Sequence, residues 1–229
     1  MAGDRDDIGS AGKSVALEHR NTGEDGRRFS PSITRNREPV AEAFEQTMPL
    51  HGRILEIASG TGEHGAYLAE RFTGLSWVYS DIDGISMESQ RAWVGYGTKT
   101  GLKLDGPIIV DASADTWPGA EALAPFDGLF CANMVHIAPF EAAIGLMKGA
   151  GRLLSTGGKL FLYGPFARDG VIAPSNARFS EDLKRRDSSW GVRDLHREIL
   201  PLALEAGLAL DQVVEMPANN LSVIFSRSG

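Results

Sequence analysis

Short apolar runs alternate with helical patterns along most of the chain. Runs rich in β-branched and aliphatic residues predict five strands, at Arg53–Ile57, Ser76–Ser80, Pro107–Val110, Gly128–Ala132 and Lys159–Tyr163. Apolar residues at helical spacing separate them, as in the amphipathic helix predicted over Phe140–Leu154. Strands that alternate with helices in this way pair in parallel and carry helices on both faces of the sheet. The pattern therefore predicts a doubly wound α/β fold.

The last third of the chain follows a different pattern. A polar helical stretch, Ser180–Arg186, and a longer helix, Leu195–Ala206, precede two β-rich runs, Leu210–Glu215 and Leu221–Ser226. Only about five residues separate these runs, which is too short for a crossover helix, so we expect them to pair antiparallel. The prediction is thus a Rossmann-like, seven-stranded, mostly parallel sheet that ends in an antiparallel hairpin.

Composition indicates one large domain with a tail before it. The chain has 229 residues and is 42% hydrophobic, which suits a single large domain. Residues 1–28 carry many charges and only Ile8, Val15 and Leu17 as large aliphatics, so we expect a disordered tail there and the domain over 29–229. The domain should open with an amphipathic helix, with Pro39 in its first turn and an apolar face of Val40, Ala43, Phe44 and Met48.

Charge and cysteine content narrow the class of protein. The formal net charge of −7 disfavours a general nucleic-acid or anionic-membrane binder. The sequence has no apolar signal region in its first thirty residues and no run of the ~18 apolar residues that a membrane span needs. Cys131 follows Leu129 and Phe130, which predicts a buried thiol in a reducing environment. We therefore expect a cytoplasmic protein that acts without nucleic acid or membrane.

A glycine-rich loop lies between the first predicted strand and the following helix. Gly60, Gly62 and Gly65 spell G-x-G-x-x-G, and Asp81 ends the second strand, 21 residues after Gly60. Glycines permit a sharp turn and close approach of a ligand, while the helix N-terminus offers unpaired N–H groups. A carboxylate at the position of Asp81 accepts hydrogen bonds from ribose hydroxyls. Taken alone, these features fit an NAD(P)-dependent oxidoreductase.

The same loop also resembles the S-adenosylmethionine loop of class I methyltransferases. That loop has the form acidic-x-Gly-x-Gly-x-Gly, and Glu56 to Gly62 matches it except that Ala58 replaces the first glycine. The turn at Ala58 must therefore tolerate a Cβ. Glu56 stands in an apolar strand, where we expect its carboxylate to face a polar ligand or water, with a structural ion pair as the alternative.

Two further features favour the methyltransferase interpretation. Asp111 and Ala112 follow the third strand, where such enzymes present a carboxylate and a backbone N–H to adenine. The antiparallel hairpin after the fifth parallel strand is the class I methyltransferase ending, and the chain has no room for a second oxidoreductase domain. We therefore expect S-adenosylmethionine as the cofactor and a small molecule as the methyl acceptor.

The resemblance places the cofactor along the carboxyl ends of the strands. Its methionine part should lie over Gly60 and Gly62, its ribose near Asp81 and its adenine near Asp111 and Ala112, with the methyl group pointing toward Asn133 and His136. The full set of predicted cofactor-binding residues is Glu56, Ala58, Ser59, Gly60, Gly62, Asp81, Ile82, Asp111, Ala112, Asn133 and Met134.

Methyl transfer from a sulfonium is an in-line displacement that depends on alignment and exclusion of water. A base is needed only for a hydroxyl or a protonated amine, and His136 after the fourth strand is the candidate, with a hydrogen-bonded loop histidine as the alternative. Tyr163 is the second catalytic candidate, as a hydrogen-bond donor to the substrate. The alternative is a core residue whose hydroxyl alone reaches solvent. His64 is a weaker catalytic candidate, and the alternative is a residue that caps the helix or flanks the cofactor.

Polar residues near the same rim are candidates for substrate binding. They are Arg37, His136, Asn176, Asn219 and Asn220. The two adjacent asparagines also suit a turn, since Asn tolerates left-handed backbone angles. The arginines at 27, 28, 35 and 37 predict either a leading lid that meets an anionic substrate or a solvated basic face.

Two kinds of chemistry lose support. The string Asn133-Met134-Val135-His136 differs from the Asn/Asp-Pro-Pro-aromatic string of amino-directed nucleic-acid methyltransferases. The five histidines are scattered, and C-x-x-C and H-E-x-x-H patterns are absent from the sequence, so we expect no dedicated metal site.

Six strings resemble a narrower group, the methyltransferase-like 26 family. They are Phe29–Pro31 with Arg35–Pro39, Glu56–His64, Asn133–Pro139, Pro174–Asn176, Trp190–Asp194 and Met216–Leu221, spread over about 200 residues. The resemblance implies an S-adenosylmethionine-dependent methyltransferase fold in which alanine at position 58 is normal. The remaining alternative is a non-catalytic module that binds the cofactor or a partner with the same pocket.

Overall fold

The structure is a computed structural model and describes Glu18 and residues 20–229. A small hairpin, β1 (Asn21–Thr22) and β2 (Arg28–Phe29), comes first. The main-sheet strands are β3 (His51–Glu56), β4 (Gly74–Asp81), β5 (Leu104–Ile109), β6 (Phe126–Ala132), β7 (Leu154–Gly164), β8 (Leu208–Met216) and β9 (Asn220–Arg227). The helices are α1 (Pro31–Thr47), α2 (Glu63–Arg71), α3 (Gly84–Thr100), α4 (Pro118–Glu121), α5 (Phe140–Leu153), α6 (Pro174–Arg186) and α7 (Leu200–Glu205).

The seven main strands form one sheet in the order β5-β4-β3-β6-β7-β9-β8. The first five of them pair in parallel, while β9 lies between β7 and β8 and is antiparallel to both. Strand order reverses between β3 and β6, so the ends of these two strands diverge into loops at the same edge. The predicted seven-stranded sheet with its antiparallel ending is confirmed.

Helices cover both faces of the sheet and divide the apolar core in two. One cluster packs α5 and α7 onto one face, around Leu129, Leu146 and Phe225. The other packs α1, α2 and α3 onto the opposite face, around Phe44, Trp77 and Phe130. Parallel strands buried on both faces explain the nearly continuous apolar runs in the sequence. Cys131 lies in the first cluster as a buried free thiol, as predicted.

The leading helix begins earlier than predicted. It starts at Pro31, which occupies the first turn, and Pro39 lies inside the helix. Pro31 suits that position because its missing N–H would have no helical partner there. The prediction for Pro39 is wrong because the polar stretch between the two prolines hides the helical period, although Val40 and Phe44 are buried as expected.

Two other segments differ from the predictions. The helix predicted over Leu195–Ala206 divides into a π-helical turn, Leu195–Ile199, and α7. The predicted tail over residues 1–28 lies mostly outside the described residues, but Glu18 and residues 20–28 within it contact the domain through hydrogen bonds and the β1–β2 hairpin. Within the described residues, no helix is long and apolar enough to cross a membrane.

Candidate functional site

A cavity of about 410 Å³ opens at the carboxyl ends of β3, β6 and β7. Helix α6 and the β8–β9 turn close one side, and the segment before α1 closes the other. Its polar lining residues are Glu18, Arg20, Ser30, Ser32, Asn36, Ser59, Thr61, His64, Asn133, Tyr163, Asn176 and Asn220. Its other lining residues are Ile33, Gly60, Ala132, Ile137, Pro165, Phe179 and Ala218. The volume suits a small-molecule ligand.

The glycine loop turns through left-handed backbone conformations. Ala58, Gly60 and Gly62 have φ angles of 54°, 56° and 83°. A Cβ on Gly60 would meet only Arg20, at 4.0 Å, so the backbone there stays open to a ligand. A Cβ on Gly65, in contrast, would lie 2.2 Å from the Trp77 indole nitrogen. The last glycine of the motif therefore permits close packing of α2 on the sheet, and the first one faces the cavity.

Asp81 holds the glycine loop in place through hydrogen bonds. One carboxylate oxygen accepts hydrogen bonds from the Gly60 N–H at 2.9 Å and from Gln90, and the other from the N–H groups of Ile82 and Asp83. Burial raises the pKa of Asp81, although these bonds oppose the shift. Asp81 is buried beneath Gly60 rather than in the cavity lining, so it fixes the loop from the position predicted to bind ribose.

Glu56 has neither a ligand-facing position nor an ion pair. Its carboxyl is buried, and it accepts a hydrogen bond of 2.8 Å from the Trp77 indole N–H. Burial raises the pKa of Glu56 to about 8, and the hydrogen bonds from Trp77 and Ser59 only partly oppose this. Neither expectation for Glu56 agrees with the structure. A buried carboxyl that stays protonated carries no charge, so a neutral hydrogen-bond donor such as the Trp77 indole is sufficient.

An exposed apolar shelf lies beside the cavity at the ends of β4 and β5. Ile82 is 61% exposed and Ile109 is 71% exposed, and Ile109 pairs in register with Asp81. Asp111 is also exposed and accepts a hydrogen bond from the Ser113 N–H at 2.8 Å. Ala112 is buried under α5, where a Cβ on Gly145 would lie 1.8 Å from its carbonyl oxygen. The predicted cofactor residues Ile82, Asp111 and Ala112 therefore lie at this open shelf and outside the cavity lining.

Asn36 connects two cavity residues that lie on different elements. His64 Nε2 lies 3.0 Å from Asn36 Oδ1, and the Asn36 side chain also hydrogen-bonds the Tyr163 hydroxyl. Burial lowers the pKa of His64 to about 4, so its imidazole is neutral near pH 7. Burial raises the pKa of Tyr163, and its hydroxyl remains protonated. The cluster thus presents neutral hydrogen-bonding groups to the cavity.

His136 is placed differently from the predicted base. It has no exposed surface, it is outside the cavity lining, and its Nδ1 accepts a hydrogen bond from the Arg193 N–H at 3.2 Å. Burial, followed by the charge of Arg193, lowers the pKa of His136 to about 3. The Gly191 N–H donates to the His136 carbonyl, and Phe166 packs against its ring at 4.6 Å. The structure supports the alternative, a histidine that shapes the loop.

Some of the predicted asparagines line the cavity, and others form the turns next to it. Asn133, with φ of 63°, and Asn176 line the cavity. Asn176 donates to the Asn219 carbonyl at 2.8 Å, while Asn219 itself has φ of 58° and lies outside the lining. Asn220 lines the cavity and donates to Pro217. The turn-forming interpretation therefore holds for Asn219, and the binding one remains for the other three.

Two other predicted residues point away from the cavity lining. The Arg37 guanidinium lies over the Tyr67 ring at 5.0 Å, and Met134 is buried in the core. The predicted residues that do line the cavity are Ser59, Gly60, Asn133, Tyr163, Asn176 and Asn220. Among Glu18 and residues 20–229, no three His, Cys, Asp or Glu side chains cluster as metal ligands.

Several lining residues were missed because they precede the first main strand. Glu18, Arg20 and Ser30 reach the cavity from the segment before α1, and Ser32, Ile33 and Asn36 reach it from α1. The Phe29–Pro31 and Arg35–Pro39 strings contained the signal for two of them, but no motif links Asn36 to a histidine 28 positions later. The charge of residues 1–28 hid the contribution of Glu18 and Arg20.

Comparison with known families assigns the chain to a defined group. The model of the family described as "Protein of unknown function (DUF938)" matches residues 27–227. The chain belongs to this DUF938 family. The match starts before α1 and ends with β9, so it includes the whole main sheet and every helix, while Glu18 and Arg20 of the cavity lining precede it.

Solved structures with the same fold include several methyltransferases. An O-methyltransferase family protein from Burkholderia thailandensis has a TM-score of 0.71 and 16% identity, over 86% of this chain and 58% of that one. Human N-acetylserotonin methyltransferase in complex with SAM has a TM-score of 0.67 and 15% identity, over 86% and 53%. An O-methyltransferase family 2 protein from Planctomyces limnophilus, in complex with apigenin, has a TM-score of 0.64 and 16% identity, over 82% and 56%.

These similarities establish the fold of the DUF938 chain. Sequence identity is 16% or less in all three comparisons, so the similarity is one of architecture. The chain spans somewhat more than half of the length of each of these proteins. The shared fold is the Rossmann-like methyltransferase fold, with its cavity at the carboxyl edge of the sheet.

Proposed function

We propose that this DUF938 protein is a metal-independent methyltransferase that moves a methyl group from S-adenosylmethionine to a small acceptor by O- or N-methylation. The observation that carries the proposal is the cavity over Gly60, in a sheet whose β9 is inserted antiparallel between β7 and β8. That strand order is the ending expected of class I methyltransferases, and it disfavours the nicotinamide interpretation of the glycine loop.

The residues present fit an adenosyl-sulfur cofactor. Gly60 exposes backbone to the cavity, and Asp81 holds that backbone through a hydrogen bond of 2.9 Å. The shelf of Ile82 and Ile109 offers apolar surface for a flat base at the edge of the cavity. A ligand that spans shelf and cavity would use both, since the two regions meet at the ends of β3 and β4.

The cofactor would supply a methyl group on a positively charged sulfur, and the residues of the chain would align the acceptor and exclude water. Asn36 holds His64 and Tyr163 at the cavity wall, where neutral side chains can orient a hydroxyl or an amine. A neutral imidazole whose pKa is about 4 is a weak base, so we assign His64 to orientation. The buried position of His136 supports a structural role for it.

The proposal also includes the narrower family, the cellular location and the class of acceptor. The six strings that resemble the methyltransferase-like 26 family all fall within the residues that the DUF938 model matches. We propose membership in that narrower group, activity in the cytoplasm, and an acceptor that is neither nucleic acid nor membrane. The cavity volume of about 410 Å³ supports a small acceptor.

Ligand binding tests the proposal directly. Thermal unfolding would be followed with S-adenosylmethionine, S-adenosylhomocysteine, NAD and NADP, each in large excess. A ligand at 100 times its Kd stabilises by about 2.7 kcal/mol, which is roughly 5 to 10 °C for a domain of this size. We expect this shift with the two adenosyl-sulfur ligands alone. A shift with NAD, or no shift with any ligand, contradicts the proposal.

A matched pair of glycine variants separates binding from folding. Gly60→Ala places a methyl group toward the cavity, and Gly207→Ala places one in open space at φ of 74°. Both lose glycine at a left-handed position, so we expect similar losses of stability, of about 1 kcal/mol. Only Gly60→Ala should weaken S-adenosylhomocysteine binding, by at least tenfold in calorimetry. Equal affinity in both variants would place the ligand elsewhere.

A further inference from the structure

The segment before α1 forms a cap on the glycine loop. Here "cap" means Glu18 and residues 20–30. The Arg28 N–H donates to Ser89 Oγ at 2.9 Å, and Ser89 Oγ donates to the Thr61 carbonyl at 2.7 Å. The Arg27 guanidinium lies over the Tyr96 ring at 3.9 Å. The cap is therefore held against α3 and joined through one hydroxyl to the loop that faces the cavity.

Arg20 reaches from the cap to the glycine loop. It lines the cavity, and its Nη2 is the atom that a Cβ on Gly60 would meet at 4.0 Å. Its Nε is buried without a hydrogen-bond partner among the described residues, and so is Arg28 Nη1. The Arg28 charge acts on Arg20 unfavourably. Two neighbouring guanidinium groups thus keep buried donors unpaired beside the open loop, an arrangement that an anionic acceptor would relieve.

The carboxylates around Arg20 already have other donors. Asp81, Asp83 and Glu18 act on it electrostatically, but within the part of the chain that is described no carboxylate oxygen lies within 4.0 Å of its nitrogens. The Asp81 oxygens accept four hydrogen bonds, and Asp83 accepts from the Ser86 N–H and hydroxyl. Glu18 accepts from Ser30 and Ser32. These residues set the field around Arg20 without satisfying its buried N–H.

Glu18 gives the cavity a negative charge near the same end. Burial works to raise the pKa of Glu18, but hydrogen bonds from Ser30 and Ser32 outweigh it and lower the pKa, so the group is ionised near pH 7. Glu18 and Arg20 carry the formal charges of the described lining, because His64 is neutral. Glu18 lies near enough to act electrostatically on Arg20, and this anion and cation of the lining complement a zwitterion.

We propose that Arg20 binds the α-carboxylate, and Glu18 the α-ammonium, of the amino-acid portion of the adenosyl-sulfur cofactor. The assignment rests on the proposed function. It follows from the position of both side chains, because the amino-acid portion is expected over Gly60. Arg20 offers a planar fork of donors that matches a carboxylate, and Arg28 adds positive charge behind it. The cap is thus a specificity element that distinguishes ligands with an amino-acid end from plain nucleosides.

The test compares two ligands that differ by the amino-acid end. Calorimetry would measure the Kd of S-adenosylhomocysteine and of 5′-methylthioadenosine, which lacks the amino and carboxyl groups, with the full chain and its variants. We expect Arg20→Gln to weaken S-adenosylhomocysteine binding by 10- to 100-fold and methylthioadenosine binding by less than threefold. Glu18→Gln should show the same selectivity with a smaller loss. Arg91→Gln, which removes an exposed charge on α3, should change neither Kd.

The outcomes separate this inference from the function on which it rests. Equal losses for both ligands in Arg20→Gln, or no loss for either, overturn the role of Arg20 while the function stands. Retained methylthioadenosine binding shows that the variant is folded, and partial recovery in Arg20→Lys supports charge recognition. If the unaltered protein binds neither ligand, the proposed function fails, and this assignment fails with it.

Discussion

The segments that follow β3 and β6 each carry a buried histidine at the carboxyl edge of the sheet, His64 in the first turn of α2 and His136 after β6, but the two histidines have different surroundings. His64 follows the glycine loop, lines the cavity and meets the Asn36 side chain. His136 follows β6, has no exposed surface and accepts a hydrogen bond from the Arg193 backbone. The first is held by a side chain of the cavity wall, whereas the second is held by the backbone of a separate segment.

This difference shows that a position at the edge of a sheet does not by itself give access to a ligand. The segment around Arg193 covers His136, with its guanidinium bonded to the carbonyls of Val135 and Ala138. The cap contacts the turn after β3 but leaves Gly60 and Thr61 open to the cavity that they line. We therefore expect a substitution at His136 to change stability and one at Gly60 to change ligand binding.

The largest expected effect is on stability at His136. His136→Ala removes a fully buried ring and the acceptor of the Arg193 N–H, which should lower the free energy of unfolding by about 3 kcal/mol. Chemical denaturation measures this loss, with His51→Ala, an exposed histidine in β3, as the control that changes it by less than about 0.5 kcal/mol. Unchanged stability combined with lost turnover would restore His136 as the base.

The next largest effect is the pH dependence of stability that Glu56, at the end of β3, should cause. A folded pKa of about 8, above the unfolded value, means that its stabilising contribution is complete below about pH 4.5 and is lost as pH rises toward 8. Between pH 6.5 and 8 we expect the free energy of unfolding to fall by about 2 kcal/mol. Glu56→Gln should remove this slope, and Glu70→Gln, at an exposed position on α2, should keep it. A slope that survives Glu56→Gln would disprove the assignment.

A smaller effect is expected at Asn36. Asn36→Ala removes hydrogen bonds to His64 and Tyr163 at a partly open wall, so the free energy of unfolding should fall by about 1 kcal/mol. Asn36→Asp keeps the size and one acceptor for His64, and should raise the pKa of that imidazole through its added negative charge. NMR titration of the imidazole measures the change. An identical His64 titration in both proteins would argue against the contact.

The smallest expected effect is a change in NMR chemical shifts when the unaltered protein binds a ligand. At pH 7, saturating S-adenosylhomocysteine should shift the imidazole resonances of His64 and leave those of His136 nearly unchanged, because only His64 lines the cavity. Assignment through His64→Gln and His136→Gln identifies each signal. A shift confined to His136 would reverse the comparison between the two turns.

The order and type of the main elements followed from local pattern. Apolar runs such as Gly128–Ala132 are buried strands, and the short gap before Leu221 gave the antiparallel pairing of β8 with β9. The predicted cofactor residues Ser59, Gly60 and Asn133 line the cavity because their positions depend on where a strand ends. Arg20 and Asn36 could not be found in this way, since they reach the cavity from a segment that precedes the sheet.

The sequence alone therefore determined the doubly wound sheet, its antiparallel ending and the edge where the cavity opens, because periodicity and glycine spacing are local properties. Tertiary structure alone decided which edge residues are reachable. Contacts between distant segments, such as Arg193 with His136 and Asn36 with His64, set burial and charge at each position. Burial and neighbouring charge control the chemistry of a side chain, and no spacing rule contains them.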